Sequence, residues 1–128
     1  LFVIPVFILV EGAMYGFGLW WVMYLYAWPL LALVVYLCRR QESAWFWSFV
    51  SAIFGFLFGF LCAFPYVAIG AADSGLRGGL YAGFTWWVAG IPFDIAHGAG
   101  NFVLMAVLYR PVHQAMRRLG PSLSRSGE

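Results

Sequence analysis

Residues 44–69, which read AWFWSFVSAIFGFLFGFLCAFPYVAI, decide the fold class of this chain. The stretch contains no charged residue, and it is longer than the roughly 20 apolar residues that a helix needs to cross a membrane. It lacks the two-residue alternation of a membrane-spanning β-strand. A helix is the remaining structure that satisfies every backbone polar group in lipid, so the sequence predicts a transmembrane helix here.

The composition extends this interpretation to the whole chain. Of its 128 residues, 64% are hydrophobic and 9% are charged, whereas about a quarter of the residues of a soluble domain are charged. The composition therefore predicts a multi-pass protein of the cell membrane, with the lipid bilayer as its solvent. The net charge of +2 is too small to indicate a nucleic-acid partner, and no nucleic acid is predicted.

The order of apolar and polar stretches predicts an all-α integral membrane protein. We expect a bundle of about four transmembrane helices, over about 2–17, 19–38, 44–69 and 92–109, with Pro92 in the first turn of the last one. A glycine-rich loop is predicted at 70–79 and a short interfacial or re-entrant segment at 80–89. Because residue 1 lies inside an apolar run, we expect the sequence to lack its natural N-terminus.

The arginines predict the orientation in the membrane. Two adjacent pairs, at 39–40 and 117–118, contrast with the single Arg77 in the predicted loop. Positive residues favour the cytoplasmic side, so the first pair and the C-terminus should be cytoplasmic and the 70–79 loop external. The expected organisation is a transmembrane substrate-binding domain over 1–118 and a disordered cytoplasmic tail over 119–128.

Small residues recur at every fourth position of the third predicted helix, at Ser51, Gly55, Gly59 and Ala63. Such spacing forms a flat stripe along which another helix can approach closely. We interpret the stripe as a packing seam within this chain. A docking surface for a partner is the less favoured alternative.

Charged residues are costly inside a bilayer, so Glu11 and Asp94 are the first candidates for a functional site. At 100° per residue, Asp94, His97 and Asn101 lie within about 60° of one another on the last helix. We predict that they form a polar substrate-binding face in the outer half of the membrane. Glu11, predicted at a similar depth, is the further candidate.

Two tryptophans precede that face. Trp86 and Trp87 either anchor the chain at the membrane interface or stack on a planar ligand beside the polar residues. A structural alternative pairs Asp94 with His97 and leaves Asn101 to bond a neighbouring helix. An enzyme with an Asp/His acid–base pair is the other alternative. No metal site and no cofactor are predicted, because the spans contain no second histidine.

Residues 90–102, GIPFDIAHGAGNF, are followed by Tyr109-Arg110-Pro111. Together they resemble the last-helix signature of S components, the substrate-binding membrane subunits of energy-coupling factor (ECF) transporters. The resemblance is strongest over residues 86–118. ECF transporters take up vitamins in prokaryotes.

The resemblance implies a specific role. S components have six transmembrane helices with both ends in the cytoplasm, so the four helices here would be the third to the sixth. The chain would bind a vitamin or related micronutrient from outside and would not itself be an enzyme. Its partners would be a transmembrane scaffold subunit and two ATPase subunits. The family's docking motif lies on the first helix, which these residues lack, so we expect this chain not to dock normally.

Overall fold

The computed structural model describes the backbone of residues 3–125 and the side chains of residues 3–118. Within that range the chain forms four helices and no strand. The helices are α1 (Val3–Tyr15), α2 (Leu19–Leu37), α3 (Ala44–Cys62) and α4 (Phe64–Arg125). The all-helical class predicted from the sequence is confirmed.

Helix α1 packs on α2 through aromatic side chains and one indole hydrogen bond. The chain turns between the two helices at Gly16, whose φ of 86° favours glycine. The Trp21 Nε1–H then donates a hydrogen bond of 2.9 Å to the Ile8 carbonyl of α1. Gly12 makes room for this ring, because a Cβ there would lie 2.6 Å from the Trp21 Nε1 atom.

Helix α4 is interrupted at Ser74 and Gly75, where the backbone leaves helical geometry. The Gly75 φ of 72° is in the region that only glycine adopts readily. The chain reverses there, so residues 44–73 form a first arm that lies antiparallel to a second arm, residues 76–125. The two arms approach closely near the turn, because a Cβ on Gly70 would lie 3.1 Å from the Gly79 Cα.

This hairpin corrects three predictions. The loop predicted at 70–79 is helical except at the two-residue turn, and the segment at 80–89 is a continuous part of α4. Pro92 lies in the interior of α4 instead of its first turn. The physical reason is that Gly70, Gly78, Gly79 and Gly83 serve close packing between the arms, which a sequence cannot distinguish from loop flexibility.

All four helices leave large apolar side chains exposed. Within the described residues, Leu19–Leu37 and Ala44–Arg118 are long and apolar enough to cross a membrane, while Val3–Tyr15 is shorter. Their most apolar windows are only 11% and 28% buried by the rest of the protein, whereas a core helix of a soluble domain is mostly buried. Large apolar side chains such as Phe93, which is 78% exposed, cover the outside.

Ala63 separates α3 from α4, and Pro65 lies in the first turn of α4. Pro65 has no N–H, so the Leu61 carbonyl cannot receive the usual helical bond from the residue four positions later. The Tyr26 hydroxyl of α2 donates to that carbonyl instead, at 2.8 Å. The Trp28 ring of α2 lies against Phe58 one turn earlier on α3, with 6.5 Å between ring centroids.

The two arginine pairs lie at one end of the hairpin. The Arg117 guanidinium donates to the Glu42 carboxylate at 3.1 Å, which joins the second arm to the segment between α2 and α3. Both side chains are about two-thirds exposed, so the pair contributes little stability. The α4 backbone continues to Arg125, where the sequence predicted a disordered tail from 119. Residues 126–128 lie outside the described residues.

Candidate functional site

Asp94 is the most deeply buried acid of the described residues, with 7% of its surface exposed. Its Oδ1 accepts a hydrogen bond of 2.9 Å from the Gly59 backbone N–H of α3. A Cβ at position 59 would overlap the carboxylate, so glycine is what allows the contact. Oδ2 is buried and has no hydrogen-bond partner within the described residues. The Asp94 side chain is therefore directed into the contact between the two arms.

The small-residue stripe lies along the same contact. A Cβ on Gly55 would lie 2.8 Å from the Gly98 Cα and 2.9 Å from the Asn101 Nδ2. Ala63 is buried at the end of α3, and its carbonyl lies beside Gly83 on the second arm. The second arm thus meets the stripe mainly through glycine and through the polar residues of α4.

His97 is exposed and does not pair with Asp94. The salt bridges of the described residues include none between these two side chains. The imidazole meets the Phe58 ring edge to face, with 5.3 Å between centroids. Within residues 3–118, no group of three His, Cys, Asp or Glu side chains could hold a metal ion.

Asn101 lies one turn beyond His97 on α4 and is half-buried. No side-chain hydrogen bond of Asn101 or of His97 is found within the described residues. Asn101 borders an open cavity of about 420 Å³ that runs along α4 as far as Met116, with Ser51 of α3 opposite. This cavity extends from Asn101 toward the arginine-bearing end of the hairpin, away from the turn at residues 74–75.

Both tryptophans are half-buried between aromatic neighbours. Trp86 is stacked on Tyr66 of the first arm, with 4.5 Å between centroids and 21° between the ring planes. Trp87 meets Phe60 edge to face at 5.7 Å. One face of Trp86 is therefore already covered by the protein. The sequence offered no pattern that predicted Tyr66 as the neighbour of Trp86 or Phe60 as the neighbour of Trp87.

Glu11 lies apart from the other candidates. It is half-buried on α1, and α1 packs on α2 without contacting α3 or α4. The structure thus joins Asp94, His97 and Asn101 along one face of α4, places the tryptophans two to four turns toward the hairpin turn, and leaves Glu11 outside this group.

One contact near the site was missed from the sequence. The bond from Tyr26 to the Leu61 carbonyl ties α2 to the hairpin just above the level of Gly59. The available signal was Pro65, because a proline after an apolar helix leaves one carbonyl without its usual donor. Where no water reaches such a carbonyl, a tyrosine hydroxyl on a neighbouring helix can donate the missing hydrogen bond.

The side chains at this face can form a limited set of interactions. Asn101 offers an amide donor and acceptor, and His97 offers one of each in its neutral form. The Phe58 ring beside His97 adds an apolar wall.

Comparisons of the chain with protein-family models, with curated proteins and with solved structures found no match.

Proposed function

We propose that this chain is a membrane-embedded substrate-binding subunit of an ECF-type importer, and that it binds a vitamin or related micronutrient for uptake by ATPase-bearing partners. The observation that carries the proposal is the pair His97 and Asn101. Two hydrogen-bonding side chains one turn apart, on a helix apolar enough to cross a membrane, have no partner within the described residues. Polar groups at bilayer depth indicate a functional site by default.

The exposed surface supports the membrane part of the proposal. Burying the apolar outer faces of α1 to α4 requires lipid or further helices, because the hairpin leaves side chains such as Phe93 and Val107 uncovered. The first arm, at 1.5 Å per residue, is about 45 Å long, against a hydrocarbon core of about 30 Å. Its excess length allows the charged turn region, with Asp73 and Arg77, to lie outside the core.

The proposed topology follows from which charged residues lie at each end of the hairpin. With α2, the first arm and the second arm each crossing the membrane, the arginine pairs lie on one side and the turn at residues 74–75 on the other. The positive-inside rule makes the arginine side cytoplasmic. The residues around the turn and the Trp86–Trp87 pair then belong to the external half, from which a substrate would arrive.

We assign Asp94 a role in helix packing instead of the substrate-binding role predicted from the sequence. Its contact with the Gly59 N–H makes it a helix-packing residue, while His97 and Asn101 are the residues that would touch the substrate. Trp86 and Trp87 lie about 15–22 Å along α4 from His97 and Asn101, so we place the tryptophans outside this contact. Glu11 would contribute only through a rearrangement of α1, so we place it outside the site.

The test starts with a native mass spectrum of the full-length protein, which identifies a co-purifying small molecule. That compound is then titrated calorimetrically into wild type, Asn101→Ala and His97→Ala. An unpaired buried ligand group costs about 1–3 kcal/mol, so each variant should bind about 5- to 150-fold more weakly. Thr85→Ala is the matched control, because the Thr85 hydroxyl already bonds the Tyr81 and Ala82 carbonyls of its own helix.

Three outcomes would contradict the proposal. Equal affinities in all folded variants would remove His97 and Asn101 from the site. A chemically altered compound after incubation would favour the alternative in which the chain is an enzyme with an Asp/His pair. Loss of thermal stability in Asn101→Ala with unchanged affinity would favour a purely structural membrane subunit.

A further inference from the structure

A groove runs along α2 and ends at the arginine that follows the last turn of this helix. The groove has a volume of about 590 Å³, and the start of α1 contributes Val3 and Ile4 to one side of it. The residues that α2 and the following turn contribute recur every three or four positions, at Trp28, Leu31, Ala32, Val35, Tyr36 and Arg39. That spacing keeps them on one side of the helix, so the groove follows a single face of α2.

The length of the groove matches one leaflet of a bilayer. Trp28 and Arg39 are 11 residues apart, which at 1.5 Å per residue is about 16 Å, and half of the hydrocarbon core is about 15 Å thick. Aromatic rings bound the Trp28 end, because Trp28 meets Phe7 and Tyr24 edge to face with 5.6 Å between centroids in both contacts. The lining between the two ends is apolar.

The other end of the groove carries a positive charge. The Arg39 guanidinium lies over the Tyr36 ring, with 4.5 Å from Cζ to the ring centroid, and both residues line the groove. The salt bridges within residues 3–118 include none for Arg39, and Glu42, the nearest acid in the sequence, is paired with Arg117. A larger groove between α1 and α2, of about 760 Å³, is lined by no charged residue. The charge at Arg39 therefore favours an anionic occupant in the smaller groove.

We propose that this groove binds an anionic phospholipid, with the phosphate at Arg39 and an acyl chain along Leu31, Ala32 and Val35. The inference goes beyond the proposed function and rests only on its membrane topology, which puts the Arg39 end in the cytoplasm. Anionic lipids are found in the cytoplasmic leaflet, and basic pockets at membrane helices on that side bind their headgroups. A soluble phosphate compound would leave the apolar walls uncovered, whereas an acyl chain covers them.

The test uses the full-length protein in detergent, stripped of lipid and then given phosphatidylglycerol and phosphatidylcholine in equal amounts. Native mass spectrometry counts the lipids retained. One basic residue contributes about 1 kcal/mol toward an anionic lipid, so wild type should retain phosphatidylglycerol in about fivefold excess. Arg39→Gln should retain the two lipids equally. Arg40→Gln is the matched control, because Arg40 does not line the groove, and it should keep the excess.

A second substitution tests the apolar part of the groove. Val35→Trp should lose the lipid, because the indole fills the space of the acyl chain. Leu37→Trp is its control, since Leu37 is 70% exposed and does not line the groove, and it should retain the lipid as wild type does. If Val35→Trp does not fold, Leu31→Trp replaces it. Equal retention of both lipids by wild type, an unchanged preference in Arg39→Gln, or unchanged retention in the folded groove variant would overturn the proposal.

A second copy of the chain and a soluble anion are the competing occupants. A concentration-dependent dimer that Val35→Trp abolishes would assign the groove to protein contact and overturn the proposal. Displacement of phosphatidylglycerol by inorganic phosphate would assign Arg39 to a soluble anion and would also overturn it.

The lipid count does not depend on the small molecule of the proposed function. His97 and Asn101 do not line the groove, so Val35→Trp should lose the lipid and keep its affinity for the co-purified small molecule. Loss of both in the folded variant would contradict a separate lipid site. If Asn101→Ala and His97→Ala bind the small molecule as wild type does while the phosphatidylglycerol excess persists, the proposed function fails and the lipid site stands.

Discussion

Replacing Gly59 by alanine tests the contact that holds the two arms together. A Cβ at this position would overlap the Asp94 carboxylate, so the arms must separate or the Asp94 side chain must turn away. Either response removes the 2.9 Å bond from the Gly59 N–H. A buried group left without its partner costs about 1–3 kcal/mol, and overpacking costs about 1–3 kcal/mol more.

Helix propensity acts in the opposite direction. Alanine is favoured over glycine in a helix by about 1 kcal/mol, so the net loss of unfolding free energy should be about 3 kcal/mol. At about 4 °C per kcal/mol for a chain of this size, the melting temperature should fall by about 12 °C. Thermal unfolding in detergent, followed by circular dichroism, measures the change.

Gly100→Ala is the control, because a Cβ there meets nothing within 4 Å. It should keep the propensity gain and melt at or slightly above wild type. In the double variant Gly59→Ala with Asp94→Ala, the overlap disappears, so the two effects should be less than additive by at least about 1 kcal/mol. A Gly59→Ala protein that melts at or above wild type would refute this packing.

Three further substitutions test other parts of the fold by the same melting experiment. Tyr26→Phe leaves the Leu61 carbonyl without its donor and should cost about 1–3 kcal/mol, while Tyr81→Phe, on a ring that is 71% exposed, should be neutral. If Tyr26→Phe and Tyr81→Phe have equal melting temperatures, the Tyr26 hydrogen bond does not stabilise the fold. Gly75→Ala should cost about 1–3 kcal/mol, because the Gly75 φ of 72° and ψ of 178° suit glycine alone, and a neutral effect would argue against the turn. Arg117→Ala should cost less than about 1 kcal/mol, since its ion pair is exposed, and a larger loss would mean that this end is more buried than the structure shows.

The parts of the fold that depend on local pattern could be predicted from the sequence. The start of α2 at Leu19 and of α3 at Ala44 follow from apolar runs, and Ser43 caps α3 by accepting from the Phe46 N–H. The glycines at 70–79 predict a loop wrongly, because glycine serves both turns and close helix packing. Only Gly75 in that stretch has the positive φ that a turn requires.

The candidate site could also be predicted from the sequence only in part. The spacing of Asp94, His97 and Asn101 predicted a shared face of one helix, since helical periodicity is a local property. The partner of Asp94 is the backbone of Gly59, 35 residues earlier, and no local pattern specifies that register. The sequence predicts Pro92 at a helix start, whereas the structure places it in the interior of α4.

The topology that we propose places the turn of the hairpin outside the membrane and its arginine-bearing end in the cytoplasm. The most direct measurement places single cysteines at Ser74 and Ser124 in a background with Cys38→Ala and Cys62→Ala. On intact cells, an impermeant thiol reagent should label Ser74→Cys, and it should label Ser124→Cys only after the membrane is permeabilised. Labelling of Ser124→Cys alone on intact cells would reverse the orientation. Labelling of both before permeabilisation would contradict a membrane-spanning hairpin.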